Sequence, residues 1–389
     1  MKISAIIKKW VRRSYMYLCY ITRSRNEKSV YFASFRGQYS DNPRAISECL
    51  HQIAPDVKIV WMVQPKFKKY LPDYVKAVSP SVRSSVKAQA WSNVWVLNFP
   101  YKKSQGVYKG HDQFYIQTWH GDRGLKAVGY LAKDVKGKRL FGFDMSECDL
   151  YVAGSDYGVR KARQAFRYGG EVIVEGMPRN DKLVNEKQSQ NENQNEKAEI
   201  RKSLGIGEDE KVMLYAPTFR DNSDNQLCDL DLDASIASLE ANGDKWLCLI
   251  RAHAGKKENT TFNSQLSTLN YKDVTSYPDM ADLLLIADLL ITDYSSSAGD
   301  FILTGRPLVL AHFDRNEYES RDRNLWINPE EAGYLVANDQ DELNQILSHL
   351  YSYDHQAIAH KINRFYGTKE TGCSSVAVAK RIILELNKN

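Results

Sequence analysis

Short apolar runs alternate with helix-length stretches along most of this 389-residue chain, and that alternation limits the folds open to it. Strands are predicted at Ser29–Ser34, Val57–Val63, Val94–Phe99, Phe114–Trp119, Leu150–Gly154 and Glu171–Glu175. Helix-length segments such as Pro43–Ile53 and Asp156–Phe166 lie between them. Parallel strands need long crossovers, so the pattern predicts α/β architecture, with helices wrapping a parallel sheet. The alternation stops at residues 186–197, which contain no apolar side chain and so cannot join a core. A surface loop or linker is expected there. Strands then resume at Val212–Ala216, Trp246–Arg251, Leu289–Thr292, Pro307–Ala311 and Tyr334–Val336. Helices are expected at Asp231–Glu240, Pro278–Ala287, Gly299–Thr304, Gln340–Tyr351 and Ser375–Leu386. A chain this long exceeds one ordinary core. Two Rossmann-like domains facing across a cleft fit the pattern: residues 26–185 and 201–389, joined by a polar linker at 186–200. The last helix is expected to pack back on the first domain.

Charge separates the first 25 residues from the rest. They hold seven basic residues and no acidic one, leaving 46 basic against 48 acidic residues elsewhere. A nucleic-acid surface on the body is therefore not implied. Within the basic segment Ile3, Ile6, Ile7, Trp10 and Val11 share a helical face that continues through Tyr17, Leu18 and Ile21. A basic amphipathic helix of this kind suits an anionic membrane surface, and the alternative is a helix packed on the body. No apolar run reaches the roughly 18 residues of a membrane-spanning helix. Nor does the segment read as a signal peptide. The six cysteines show no CxxC pair and no metal-ligand spacing, and read as reduced structural thiols of a cytoplasmic protein.

In open α/β sheets ligands bind beyond the carboxyl ends of strands. There the sequence places His120–Arg123, then Gly176–Asp181, Pro217–Asp221, Arg251–His253 and Asp293–Asp300. One polar strand end means little, but five together point to a phosphorylated, polar ligand. His120 suits a base, since a neutral imidazole takes a proton from a hydroxyl, although a lone histidine is also a common core residue. Arg251 and His253 share a strand face and suit phosphate. Ser295, Ser296 and Ser297 fall at a helix start, where free N–H groups attract anions; an ordinary capped turn reads the same way. Arg179 and Arg220 fit either phosphate binding or ion pairing. Asp229, Asp231 and Asp233 have the DxD spacing that holds metal in some sugar transferases, and equally the acidic start of a helix. GxxxxGK[ST], GxSxG and HExxH are all absent.

Taken in order, these pieces resemble the CDP-glycerol glycerophosphotransferase family, whose members build teichoic acids and related polyol-phosphate polymers. The matching runs are Gln117–Gly121, Gly176–Asp181, Leu214–Asp221, Arg251–His253 and Leu290–Ser296 with Asp300. Gly305–Pro307 and the Asp314, Tyr318, Arg321 region are similar too. The resemblance spans roughly residues 30–350. It implies a GT-B-like fold, acceptor bound by the N-terminal half, CDP-alditol bound by the C-terminal half, and peripheral attachment at the cytoplasmic face of the cell membrane. The family often has Thr-Pro-Leu-Lys after the His-Gly; here the run is Asp122-Arg123-Gly124-Leu125-Lys126, which bears on the polyol or acceptor used.

The implied reaction moves glycerol phosphate, or ribitol phosphate, from CDP-glycerol or CDP-ribitol to a hydroxyl of a lipid-linked saccharide or polyol-phosphate acceptor. His120 would take the proton, with His253 as the second catalytic residue. Substrate would be held by Gly121, Asp122, Arg123, Lys126, Arg179, Asn180, Asp181, Thr218, Arg220, Arg251, Asp293, Ser295, Ser296, Ser297, Asp300 and Arg321. No cofactor or metal is required if the cations neutralise the phosphates. Two alternatives stay open: a GT-B glycosyltransferase using a nucleotide sugar, and a non-catalytic membrane-bound scaffold.

Overall fold

A computed structural model describes residues 3–24, 27–99, 106–133, 144–186, 192–218, 220, 230–252 and 270–388. The chain forms two compact units, one comprising Met1–Asp122, Gly142–Asp181 and Lys369–Asn389, the other Arg123–Phe141 and Lys182–Thr368.

The first unit is built on seven parallel strands: β1 (Ser29–Ala33), β2 (Lys58–Met62), β3 (Lys76–Val78), β4 (Val94–Leu97), β5 (Phe114–Gln117), β6 (Leu150–Ala153) and β7 (Glu171–Val174). Their order is β3-β2-β1-β4-β5-β6-β7, so the direction of winding reverses between β1 and β4. Alternation along each strand sends side chains to two cores. Val30 and Phe32 join Val94, Val96 and Ile116 on one face, beneath helix α2 (Asp41–Ile53) and the C-terminal helix Ser374–Leu386. Tyr31, Ala33, Trp95 and Leu97 line the other, beneath α1 (Ile3–Ile21) and α3 (Val82–Trp91).

The N-terminal segment is thus a layer of this unit, held by buried Met16 and Cys19. Its outer side leaves Ile6, Ile7, Trp10, Val11, Tyr17, Leu18 and Ile21 exposed. No described helix is long and apolar enough to cross a membrane.

The second unit repeats the plan with six parallel strands: β8 (Glu210–Ala216), β9 (Lys245–Ile250), β10 (Tyr271–Asp273), β11 (Leu289–Thr292), β12 (Leu308–Ala311) and β13 (Leu335–Ala337). The order β10-β9-β8-β11-β12-β13 reverses between β8 and β11. Three of these elements depart from expectation. The edge strands β3 and β10 are three residues long and carry no apolar run that would announce them. A helix, Glu192–Ser203, occupies much of the stretch whose composition predicts a loop. The ion pairs Lys182–Glu196 and Lys197–Glu186 link it to the residues just before it.

Candidate active site

Each unit gathers polar side chains at its own point of strand reversal, where the backbone after neighbouring strands diverges and leaves room for a ligand. In the first unit β1 leads into Ser34 and Phe35, β4 into Asn98, and β5 into the turn that carries His120. Asn98 organises the group. Its amide nitrogen donates to Ser34 Oγ (3.1 Å) and to Asp41 Oδ2 (2.8 Å), and its amide oxygen accepts from the Phe35 N–H (2.8 Å).

The Asn98 backbone carbonyl lies 2.7 Å from His120 Nδ1. A carbonyl only accepts, so Nδ1 carries the proton, and in the neutral ring Nε2 keeps its lone pair. Trp119 packs 4.1 Å and Phe35 5.5 Å from the imidazole, centroid to centroid. Trp119 itself adopts a left-handed backbone with φ +52, and Asn42 Nδ2 donates to its carbonyl at 3.1 Å. The surrounding protein desolvates the ring and lowers the His120 pKa below 6.5. Asn98 and Asp41 oppose that shift, while Arg179 and Lys161 add to it.

The other predicted residues of this unit serve the fold. Asp122 is buried and accepts from the Gly154 N–H (3.1 Å) and from the Ser155 hydroxyl (2.6 Å), itself the cap of helix α4 (Asp156–Gln164). Lys161 donates to the carbonyls of Gly121 and Asp122. Arg179 pairs with Asp41 at 3.0 Å. Asn180 donates to Glu370 (3.1 Å), and Asp181 accepts from the Ser374 and Ser375 N–H groups (2.9 and 2.7 Å), capping the C-terminal helix. Asp122, Asn180 and Asp181, expected to contact substrate, thus each have partners within the fold.

In the second unit Asp293, following β11, accepts from the Thr218 N–H after β8 (2.8 and 2.9 Å) and from Arg220 (2.7 Å). Arg220 also grips Asp314 through two bonds of 2.6 and 3.0 Å and lies over the rings of Tyr294 and Tyr318. Buried and doubly paired, it matches the ion-pairing alternative that the sequence left open beside a phosphate contact. Arg123 is buried too, donating to the Gly299 carbonyl (2.7 Å) and to Asp300 (3.4 Å). A Cβ on Gly299 would stand 2.5 Å from the Arg123 carbonyl oxygen, so glycine is required there. The charged run after His120 is therefore built into the fold on both its residues.

Three buried side-chain atoms near this strand reversal have no hydrogen-bond partner among the described residues: Thr218 Oγ1, Arg251 Nη1 and His312 Nδ1. They follow β8, β9 and β12. Burying a polar group without a partner costs about 1–3 kcal/mol, so a cluster of them marks a place for a polar ligand. His312, stacked 4.5 Å from Tyr294, escaped the sequence reading although it directly follows a predicted strand, the same signal that selected the other candidates.

Ser295 accepts from the Ser297 hydroxyl (2.9 Å), and Ser296 precedes the one-turn helix Ser297–Phe301. Lys126 bridges to Leu325, while Arg321 is exposed and pairs with Glu317. Asp231 caps the helix Leu232–Glu240 and Asp233 accepts from Tyr271, which leaves the metal-spacing signal at these two residues with a structural explanation. His253 and Asp229 lie outside the described residues.

The profile of CDP-glycerol:poly(glycerophosphate) glycerophosphotransferases matches residues 15–384. The chain belongs to this family. It is 32% identical over 366 residues to a teichoic acid poly(glycerol phosphate) polymerase of Bacillus subtilis strain 168, covering 89% of this chain and 47% of the relative. To a teichoic acid glycerol-phosphate transferase of Staphylococcus aureus it is 30% identical, over 88% of this chain and 90% of the relative. The chain spans about half the length of two of the polymerases it matches, 42% and 47%. The solved wall teichoic acid polymerase TagF superposes with a TM-score of 0.82 at 27% identity, covering 100% of this chain and 99% of that one. The fold of this family member is accordingly α/β and GT-B-like.

Proposed function

We propose that the chain transfers a polyol phosphate, foremost glycerol phosphate, from a CDP-alditol to a hydroxyl of a membrane-linked acceptor, releasing CMP. Family membership and the printed activities of its relatives support this reading, as does a TagF variant soaked with CDPG. The observation that carries it is the Asn98 carbonyl on His120 Nδ1, which leaves Nε2 as the proton acceptor. In the reaction, Nε2 takes the proton of the acceptor hydroxyl and the oxygen bonds to the phosphorus that bears the polyol. The phosphoanhydride bond breaks with its electron pair passing to CMP. Transfer of this kind depends on alignment and on neutralising phosphate charge. The unpartnered Arg251 and Thr218 atoms support a phosphate contact in the second unit, and His312 a further donor or acceptor beside it. On this reading the cations suffice without a cofactor.

The exposed apolar row on α1 supports peripheral attachment to an anionic membrane, at the cytoplasmic face where the nucleotide donor resides. CMP release from CDP-glycerol and from CDP-ribitol, each with and without a lipid-linked acceptor analogue, tests the proposal. Acceptor-dependent CMP from one donor supports it. Nucleoside diphosphate release from a sugar donor, with no CMP from either alditol, overturns it in favour of glycosyl transfer.

A further inference from the structure

Asp41 sits at the start of α2 with φ +65, in the left-handed region that costs most residues energy and that asparagine and aspartate tolerate best. Strain of this sort persists only where the surroundings enforce it, and it clusters at functional sites. Here three contacts enforce it. Oδ2 accepts from Asn98 Nδ2 (2.8 Å), and Oδ1 accepts from the Asn42 N–H (2.6 Å) and from Arg179 (3.0 Å). Asn98 is the residue whose carbonyl holds the imidazole.

We infer that Asp41 is a positioning residue for His120, locking the Asn98 frame that sets the ring's tautomer and supplying the negative charge that faces the ring as the proton arrives. The inference rests on the reading of His120 as the base. Asp41 from α2, Arg179 from the turn Pro178–Asn180 and Lys161 from α4 are charged groups that face His120. Both cations resist imidazolium formation, and Asp41 is the one of the three that favours it. Arg179 is thus divided between two effects. It holds the Asp41 carboxylate in place while partly cancelling its field.

The test is the pH profile of acceptor-dependent CMP release by the whole chain. Asn is the closest match to Asp in shape and keeps the left-handed backbone accessible, so Asp41→Asn removes the charge with little change in the turn. The base must be neutral to work, so activity is lost as pH falls through the His120 pKa. Without Asp41 that pKa drops, and the acidic limb should move to lower pH. The weaker base should also lower kcat by about tenfold or more, with less effect on KM. Arg179→Gln should move the limb the opposite way, to higher pH, and supplies the test if the Asp41 variant does not fold. A purely structural role for Asp41 would lower the melting temperature and leave the limb where it was. That result, with His120→Ala inactive, overturns the inference and spares the base. A folded, active His120→Ala variant would instead overturn the underlying reading.

Discussion

His120 owes its proposed chemistry to two neighbours that act in different ways. The Asn98 carbonyl chooses which nitrogen is the base, and the crowding of protein around the ring keeps it neutral. The pH dependence follows with its sign. A depressed pKa means that the neutral base persists below 6.5, so the acidic limb of kcat/KM should lie beneath that of an ordinary imidazole. A limb at or above it would show that another group titrates. Arg220 makes the opposite case, a residue held charged by two carboxylates of the fold. Burial opposes its charge, yet Asp293 and Asp314 more than compensate and hold it firmly protonated. Arg220→Met would leave buried Asp293 and half-buried Asp314 without their cation. Such a change costs about 3–5 kcal/mol, to be read as a lowered denaturant midpoint. His120 was legible in the sequence because a strand end marks it. The pairing of Arg123 was not legible, because its partner, the Gly299 carbonyl, lies 176 residues away and leaves no local trace. Asp41 and Asn98 were passed over for a related reason: an Asp at a helix start and an Asn at the end of an apolar run are each unremarkable until the fold joins them.

At the scale of elements, burial decides what a sequence reveals. Strands such as β1 and β11 are buried along their whole length and read as continuous apolar runs. The edge strands β3 and β10 need no such run, since among the described residues only one neighbour pairs with each. The helix Glu192–Ser203 was hidden because its composition is that of a linker, while a few ion pairs and buried Ile200 hold it. Capping ties distant elements together. Asp181 lies just after the turn bearing Arg179, yet it caps the C-terminal helix and fixes it to the first unit. Asp181→Ala should destabilise the chain by about 1–2 kcal/mol, measured by chemical denaturation. An unchanged midpoint would mean that the apolar contacts of Val378 and Ile382 alone secure that helix.

At the scale of the molecule, the two-sheet plan was legible because the strand–helix rhythm breaks once and resumes. The assignment of segments was less so: Arg123–Phe141 groups with the second unit although it lies between two stretches of the first, a fact of packing that no local pattern encodes. The exposed row on α1 carries a prediction at this scale. The whole chain should sediment with anionic vesicles, less so at high salt, and Trp10→Ser should weaken binding by about tenfold. Equal binding to neutral vesicles would remove the electrostatic part of the argument. The central claim is that His120 serves as the base of a polyol-phosphate transfer, and acceptor-dependent CMP release by the wild type and by folded His120→Ala tests it most directly. The account predicts CMP from a CDP-alditol only when acceptor is present, and a loss on the order of 10²- to 10⁴-fold in the variant. A folded variant that releases CMP at the wild-type rate would contradict it.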